Sequence, residues 1–257
     1  MRNLFILLFA ITLFSCNQKF EGPNLLTTVN KVESNFAADG FDSQHSDAKA
    51  IEIADLVMQA SGGRKAWDAA KILKWNFFGA RSLIWNKQSG DIRINMADGD
   101  VYISNIFEST GTALIKGQEI VDPDSLAIFL NDAKSIWIND SYWLFLPYKL
   151  KDSGVTLKYL EVDTAEGGAA SHVLELTFAN VGDTPENKYH VLVDTATNLI
   201  NQWSFYANYS DTLSRFTTPW ADYNEYGNLN LSGNRGNYLI TEIEVLGTID
   251  QETFTKF

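Results

Sequence analysis

Cys16 is the residue of this sequence with the most distinctive chemistry available to it. It is the only cysteine among 257 residues, and it lies just after an almost unbroken apolar run at residues 4–14. An apolar run of this length is too short to cross the hydrocarbon core of a bilayer, about 30 Å thick, as a helix. With Arg2 ahead of it, the run has the charged start and apolar core of a secretory signal.

The position of Cys16 matters as much as its identity. An exported chain with one cysteine cannot form an internal disulfide, and a free exported thiol is a liability. The residues Leu13-Phe14-Ser15-Cys16 resemble the lipobox of bacterial lipoproteins. The resemblance implies that residues 1–15 are a cleaved signal peptide and that a diacylglycerol on the thiol of Cys16 anchors the chain to a membrane. The alternatives are an ordinary signal with an incidental cysteine and an uncleaved anchor.

The residues that follow Cys16 bear on location and on domain organisation. In lipoprotein families an aspartate after the cysteine often signals retention in the inner membrane, so Asn17 favours the outer membrane of a Gram-negative cell envelope. Residues 16–46 have no sustained hydrophobic period, which predicts a lipidated cysteine and a flexible tether, although parts of it could dock on the domain. Residues 47–257 are long enough to form a single domain with a sizeable core.

The rest of the sequence shows no recognisable catalytic or metal-binding motif. Asp98-Gly99-Asp100 is too short for a calcium loop, and neither Ser89 nor Ser153 lies in a Gly-x-Ser-x-Gly elbow. We therefore predict no metal, no cofactor and no catalytic residues, while a triad built from residues distant in sequence stays open. The histidines are too few and too dispersed for a metal site: His45, His172 and His190.

The net charge narrows the classes of partner. The chain has 20 Lys and Arg against 32 Asp and Glu, a formal net charge of -12. Nucleic acids and anionic headgroups are bound by clustered Lys and Arg, so they are not expected as general partners. An acidic surface also serves solubility.

Hydrophobic periodicity predicts an α+β fold. Asp47 is a suitable N-cap for a helix over Ala48–Ala60, Ser61-Gly62-Gly63 ends it, and a short helical turn follows. Alternation with a period of two predicts four strands between residues 72 and 107. A second helix is predicted to begin at Asp122-Pro123 and to run to about Trp137. Further strands are predicted over residues 155–161, 172–179, 188–194, 199–206 and 238–246. These elements predict a curved antiparallel sheet, a half-barrel, with helices on its concave face.

Several runs carry a family resemblance, and they lie at residues 79–86, 139–147, 149–155 and 181–189. Together with the lipobox and the order of the elements, they resemble a family of uncharacterised bacterial lipoproteins close to the half-barrel lipoprotein-carrier superfamily, which includes the outer-membrane lipoprotein-sorting proteins. The resemblance covers most of residues 47–247. It implies the half-barrel fold and an envelope location, and it implies no established activity.

Aromatic residues on the predicted strands and at residues 139–147 supply the candidate binding site. Aromatic residues make up 13% of the chain. Inward-facing aromatic side chains can line a cavity for lipid or acyl chains, or they can simply fill a core. The polar residues 182–189 predict a turn first and a ligand contact second. The predicted cavity residues are Trp75, Phe77, Trp85, Trp143, Phe145, Trp203 and Phe205.

These observations favour a non-enzymatic, membrane-anchored domain that binds a lipid or acyl chain as a local acceptor, sensor or chaperone. A carrier that crosses the periplasm must be soluble, whereas a lipid on Cys16 would fix this chain beside its membrane. One alternative is a protein-interaction module with a solid core and an exposed apolar patch. The other is an envelope hydrolase of unrecognised type.

Overall fold

The computed structural model describes residues 35–179 and 182–257, so Cys16, the signal segment and the first part of the predicted tether lie outside the described residues. None of the described helices combines the length and the apolar character that crossing a membrane requires. The helices are α1 (Ala48–Ala60), α2 (Arg64–Ala69) and α3 (Pro123–Lys149), and a short 3-10 helix spans Gln251–Phe254.

The strands form two groups along the chain, and α3 separates them. The first group is β1 (Ile72–Phe77), β2 (Arg81–Asn86), β3 (Asp91–Met96), β4 (Val101–Asn105), β5 (Thr110–Ile115) and β6 (Gln118–Glu119). The second group is β7 (Val155–Thr164), β8 (Ala170–Phe178), β9 (Lys188–Asp194), β10 (Ile200–Tyr206), β11 (Phe216–Pro219), β12 (Ala221–Tyr226), β13 (Leu229–Arg235) and β14 (Tyr238–Leu246).

The described strands form two curved antiparallel sheets. One has nine strands in the order β12-β13-β14-β1-β2-β3-β4-β5-β6, and the other has five in the order β11-β10-β9-β8-β7. The predicted α+β class is confirmed, as is the meander of β1 to β4. The concave surface is divided between two sheets, where the sequence predicted one. The chain passes from one sheet to the other at Trp220, between β11 and β12, and this side chain is 2% exposed.

Helix α3 lies between the two sheets. Its residues Leu144, Phe145 and Tyr148 pack with the core of the nine-stranded sheet. Leu146 and Leu150, in its last turn and at its C-cap, join the core that α1 forms with the five-stranded sheet. A helix that is covered on both sides must be apolar nearly all round. Residues 139–147 were predicted to follow the helix. That prediction is wrong, because they lie within the second half of α3, and Pro147 lies inside it.

Pro147 leaves one backbone carbonyl of α3 without its helical partner. A proline has no amide N–H, so the carbonyl of Trp143, four residues earlier, receives no bond from position 147. The guanidinium of Arg235, at the end of β13, donates to this carbonyl from Nη2 at 2.6 Å. An orphaned carbonyl in α3 is therefore satisfied by a side chain from the nine-stranded sheet.

Arg235 is buried at the junction of α3 and the two sheets. It is 1% exposed, and its guanidinium carbon lies 3.4 Å from the ring centroid of Trp220. Nη1 donates to Ser232 Oγ at 2.8 Å and to the carbonyl of Asn234 at 2.9 Å. No carboxylate among the described residues forms an ion pair with it. Burial in these surroundings lowers the pKa of Arg235.

The described part of the predicted tether, residues 35–46, lies against the domain. The amide of Ala38 donates to the carbonyl of Lys151 at 3.0 Å, and the amide of Asp42 donates to the carbonyl of Val155 at 3.0 Å. The side-chain amide of Asn35 donates to Asp55 at 2.8 Å. The backbone at residues 38–42 is therefore fixed beside the loop that joins α3 to β7.

The pair Pro147 and Arg235 predicts a coupling in stability. Arg235→Met leaves the Trp143 carbonyl buried and unpaired, which we expect to lower the free energy of unfolding by about 2 kcal/mol. In a Pro147→Ala background the new amide N–H can donate to that carbonyl, so the same change should cost about 1 kcal/mol less. Urea denaturation of the four proteins measures the coupling. Equal costs of Arg235→Met in the two backgrounds would contradict it.

Candidate ligand-binding cavity

An open cavity of about 690 Å³ lies between α3 and the five-stranded sheet. Its wall comes from the second half of α3, the end of β8, the loop at residues 182–187 and strands β9 to β11. Ala38, in the segment that precedes α1, also lines it. The aromatic residues of its wall are Tyr142, Trp143, Phe178, Tyr189, Trp203, Phe205 and Phe216.

The register of the five-stranded sheet places the cavity aromatics in one row. Tyr189 on β9 pairs with Phe205 on β10, and Phe205 pairs with Phe216 on β11. Side chains at paired positions lie on the same face of a sheet. Trp203 is two residues before Phe205, so it shares this face. Strand periodicity and register together therefore build a continuous aromatic surface.

The rings of this surface contact one another closely. Tyr189 stacks on Trp203 with centroids 5.0 Å apart, and Phe205 stacks on Phe216 at 5.1 Å. Phe178 meets Tyr189 edge to face at 5.9 Å. Such contacts hold the rings in fixed orientations, so the wall is preformed on the sheet side.

Trp143 connects the helix side of the wall to the sheet side. Its ring meets Trp203 edge to face at 4.9 Å and stacks on Phe216 at 5.8 Å. Phe78, in the turn between β1 and β2, meets it edge to face at 5.3 Å. Phe78 has a φ of 55°, a conformation that costs a bulky residue on the order of 1 kcal/mol or more. The turn thus holds a strained aromatic residue directly against the central ring of the site.

The polar residues of the wall are either acidic or uncharged. Asp152 and Asp183 line the cavity, together with Thr184 and Asn187. The Asn187 side-chain amide donates to Thr184 Oγ1 at 2.5 Å, which fixes the loop between β8 and β9. The described lining residues include no lysine, arginine or histidine.

Lys149 is not one of the wall residues, and it pairs with one of the two carboxylates of the wall. Its ammonium forms an ion pair with Asp152 at 3.0 Å and lies 5.2 Å from the ring centroid of Tyr142. The charge of Asp152 is therefore partly compensated from outside the wall. Asp183 is exposed, and no ion pair involving it is formed within the described chain.

The two tyrosines of the wall remain protonated well above neutral pH. Burial raises the pKa of Tyr189 to about 12, against a smaller opposing effect of a hydrogen bond from Asn187. Burial also raises the pKa of Tyr142 well above its ordinary value, and the charge of Asp152 adds to this effect. Both phenols are therefore neutral hydrogen-bonding groups at physiological pH.

The structure separates the seven predicted cavity residues into two groups. Trp143, Trp203 and Phe205 line the cavity. The other four lie in the packed core between α3 and the nine-stranded sheet, where for example the rings of Trp75 and Phe145 meet edge to face at 5.3 Å. These four are at most 7% exposed, and they are Trp75, Phe77, Trp85 and Phe145.

Four aromatic wall residues were not predicted: Tyr142, Phe178, Tyr189 and Phe216. Tyr142 lies in the segment 139–147, which stands out in the sequence for its aromatic residues, and Phe178 and Tyr189 lie on predicted strands, where Tyr189 alternates with Lys188 and His190. Phe216 lies on the short strand β11, which was not predicted. The predicted polar loop does reach the site, since Gly182, Asp183, Thr184 and Asn187 all line the cavity.

The histidines make local contacts outside this wall. His190 Nε2 lies 3.2 Å from Glu175 Oε2, and its Nδ1 lies 3.1 Å from the hydroxyl of Tyr206. His45 lies 2.8 Å from a carboxylate oxygen of Asp42. In the part of the chain that the structure describes, no group of three or more His, Cys, Asp or Glu is placed to hold a metal ion.

Comparison with known proteins gives similarity to solved structures only, since no protein-family model and no curated protein matches the chain. A DUF1329 family protein from Desulfovibrio piger is 13% identical, with 80% of this chain and 96% of that chain covered and a TM-score of 0.42. A putative outer membrane lipoprotein-sorting protein domain from Vibrio parahaemolyticus is 11% identical, with 80% of this chain and 96% of that chain covered and a TM-score of 0.38. A LolA superfamily protein from Nitrosomonas europaea is 9% identical, with 79% of this chain and 97% of that chain covered and a TM-score of 0.34.

The raised pKa of Tyr189 predicts a pH dependence of stability. A phenol that binds its proton more tightly in the folded state stabilises the fold fully below pH 10, and this contribution is lost as the pH rises towards 12. The loss amounts to roughly 2–3 kcal/mol. Tyr189→Phe should therefore lose less stability than the parent between pH 10 and 12, as measured by urea denaturation.

Tyr209→Phe is the matched control, because the Tyr209 side chain is 64% exposed. The stability of Tyr209→Phe should fall as much as that of the parent protein between pH 10 and 12. If Tyr189→Phe and the parent lose stability in parallel, the buried phenol does not titrate as argued.

Proposed function

We propose that the aromatic cavity binds the apolar part of an amphiphile, such as an acyl chain, and that the protein is a non-enzymatic binding protein of the cell envelope anchored by a lipid on Cys16. The observation that carries this proposal is a preformed cavity of about 690 Å³ walled by aromatic rings. Its volume lies within the range of roughly 300–1,000 Å³ that is typical of small-molecule sites.

The apolar surface of the wall sets the expected strength of binding. Each buried methylene contributes roughly 0.8 kcal/mol, so a twelve-carbon chain with ten buried methylenes gains about 8 kcal/mol. Association costs on the order of 4 kcal/mol or more. The difference of about 4 kcal/mol corresponds to a dissociation constant on the order of 1 mM, so a single chain should bind weakly, which suits a local acceptor or chaperone that must also release its ligand.

The chemistry of the wall supports binding over catalysis. Its titratable groups are two carboxylates and two tyrosines whose pKa values are raised by burial. Burial moves the pKa of both tyrosines further above the range near 7 that suits acid–base catalysis at neutral pH. The hollow also favours this proposal over an interaction module with a solid core.

The proposed anchor keeps the cavity beside the lipids from which a ligand would come. The lipobox-like residues place the acyl group on Cys16, and Ala38 already lies in the cavity wall. Asn17, directly after the proposed lipidated cysteine, favours the outer membrane.

The anchor predicts the chemistry of the mature N-terminus. Full-length protein produced in a Gram-negative host should begin at Cys16 with a diacylglycerol on its thiol, as read by mass spectrometry. It should partition into the detergent phase of Triton X-114, whereas Cys16→Ala should stay in the aqueous phase. An unmodified thiol at Cys16, or cleavage elsewhere, would refute the anchor without affecting the cavity.

The cavity predicts binding of a neutral amphiphile. Octaethylene glycol monododecyl ether below its micellar concentration should change the fluorescence of Trp143 and Trp203, because both rings line the cavity. Phe216→Ala should weaken binding by about fivefold, since it removes roughly 1 kcal/mol of apolar contact. Phe216 is 38% exposed, so the fold should tolerate the change.

Phe107→Ala is the matched control, at a phenylalanine that is 65% exposed and lies outside the cavity wall. It should bind the detergent as the parent does. Equal affinity of the parent and Phe216→Ala, or no binding by either, would contradict the proposed site.

A further inference from the structure

The polar groups of the cavity wall restrict the charge of the ligand. Phosphate, sulfate and carboxylate headgroups are bound in proteins by arginine, lysine or arrays of amide N–H groups. The described wall of this cavity offers two carboxylates, Asp152 and Asp183, and no basic side chain. An anionic group that entered it would meet like charges and lose its hydration without compensation.

The aromatic rings of the wall favour the opposite charge. The face of an aromatic ring carries a negative quadrupole, which attracts ammonium groups at distances up to about 6 Å from the ring centroid. Tyr142, Trp143 and Phe216 are only partly buried, so their rings remain accessible from the cavity. Their combination with a nearby carboxylate is the composition of sites that bind quaternary ammonium groups.

The protein already places a cation at the edge of this environment. The ammonium of Lys149 lies 5.2 Å from the centroid of Tyr142 and pairs with Asp152. Asp152 is itself part of the wall, so this ion pair places the ammonium of Lys149 beside the cavity. Because Lys149 compensates Asp152, Asp183 is left as the main negative charge that a ligand can meet.

We infer that the cavity selects amphiphiles with a cationic headgroup, and that a quaternary ammonium is held among the aromatic rings with Asp183 beside it. This inference rests on the proposed function, because the apolar chain of the ligand occupies the same cavity. A quaternary ammonium needs no hydrogen-bond acceptor, so the aromatic wall can surround it without leaving a donor unpaired. The headgroup chemistry is common to choline lipids and to soluble alkylammonium compounds.

The test compares three amphiphiles that share a twelve-carbon chain and differ in headgroup. Dodecyltrimethylammonium should bind about tenfold more tightly than octaethylene glycol monododecyl ether, the gain expected from a cation over aromatic faces near one carboxylate. Dodecyl sulfate should bind more weakly than the neutral ether. All three are measured by tryptophan fluorescence below their micellar concentrations, at low and at high salt.

Two variants distinguish the effect of the Asp183 carboxylate on binding from the effect of the net charge of the protein. Asp183→Asn should reduce the preference for dodecyltrimethylammonium to less than about threefold and leave the affinity for the neutral ether unchanged. Asp98→Asn removes the same charge from an exposed turn outside the wall and should keep the full preference. Raising the salt concentration should lower the affinity for the cation and should not lower that for the ether.

The outcomes distinguish the inference from the function on which it rests. If the neutral ether binds and dodecyltrimethylammonium binds no more tightly, the cavity holds apolar chains and the charge selection is wrong. If Asp98→Asn lowers the preference as much as Asp183→Asn does, the selection comes from the net charge of the chain and the assigned residue is wrong. If none of the three amphiphiles binds, the proposed function fails first. Tetramethylammonium, tested alone, should bind weakly, and tight binding of it would assign the site to small soluble cations instead.

Discussion

The architecture depends on one hydrogen bond, from the Arg235 guanidinium to the Trp143 carbonyl at 2.6 Å. Pro147 removes the amide that would otherwise pair with this carbonyl, at a point where both sides of the helix are covered by sheets. Water has little access there, so an unpaired carbonyl would cost on the order of 1–3 kcal/mol. Arg235 satisfies it from β13 while its plane lies over Trp220, the residue at which the chain changes sheets. One side chain therefore fixes the helix, the nine-stranded sheet and the crossing between the sheets.

The same bond determines the position of the cavity. The carbonyl that Arg235 holds belongs to Trp143, and the ring of this residue connects the helix to the aromatic row on the five-stranded sheet. Phe78 supports the ring from the nine-stranded side in a strained conformation. The ring of Trp143 fills part of the gap between α3 and the five-stranded sheet, where it contacts Trp203 and Phe216. The space that remains is the cavity, and its walls need little reorganisation when a ligand enters.

The sequence could predict the elements better than the space between them. Alternation identified β1 to β4 because one face of each is buried, as Trp75 beside Lys74 and Asn76 shows. Strands β11 and β12 were not predicted because they are short or polar. Strand β13 was not predicted either, although Leu229 and Leu231 alternate with polar residues and could have indicated it. Alternation tells which side chains point inward, and it cannot tell whether the inward space is filled. Trp75 and Trp203 are equally buried, at 0% and 1% exposure, yet only Trp203 lies beside the cavity. That difference comes from how α3 packs between two sheets, which depends on contacts between residues such as Trp143 and Arg235 that are 92 positions apart.

The route of the chain before α1 relates the cavity to the proposed anchor. Ala38 lines the cavity and donates to the carbonyl of Lys151, and the Gly40 carbonyl accepts from Gly154 at 2.8 Å. Gly40 has a φ of 86°, a backbone conformation that residues with a Cβ rarely adopt, so this turn favours glycine. Asp152 and Ser153, between these two contacts, are also part of the wall. The loop between α3 and β7 thus both fixes residues 38–40 and supplies Asp152, one of the two carboxylates of the wall, whereas Asp183 comes from the loop between β8 and β9.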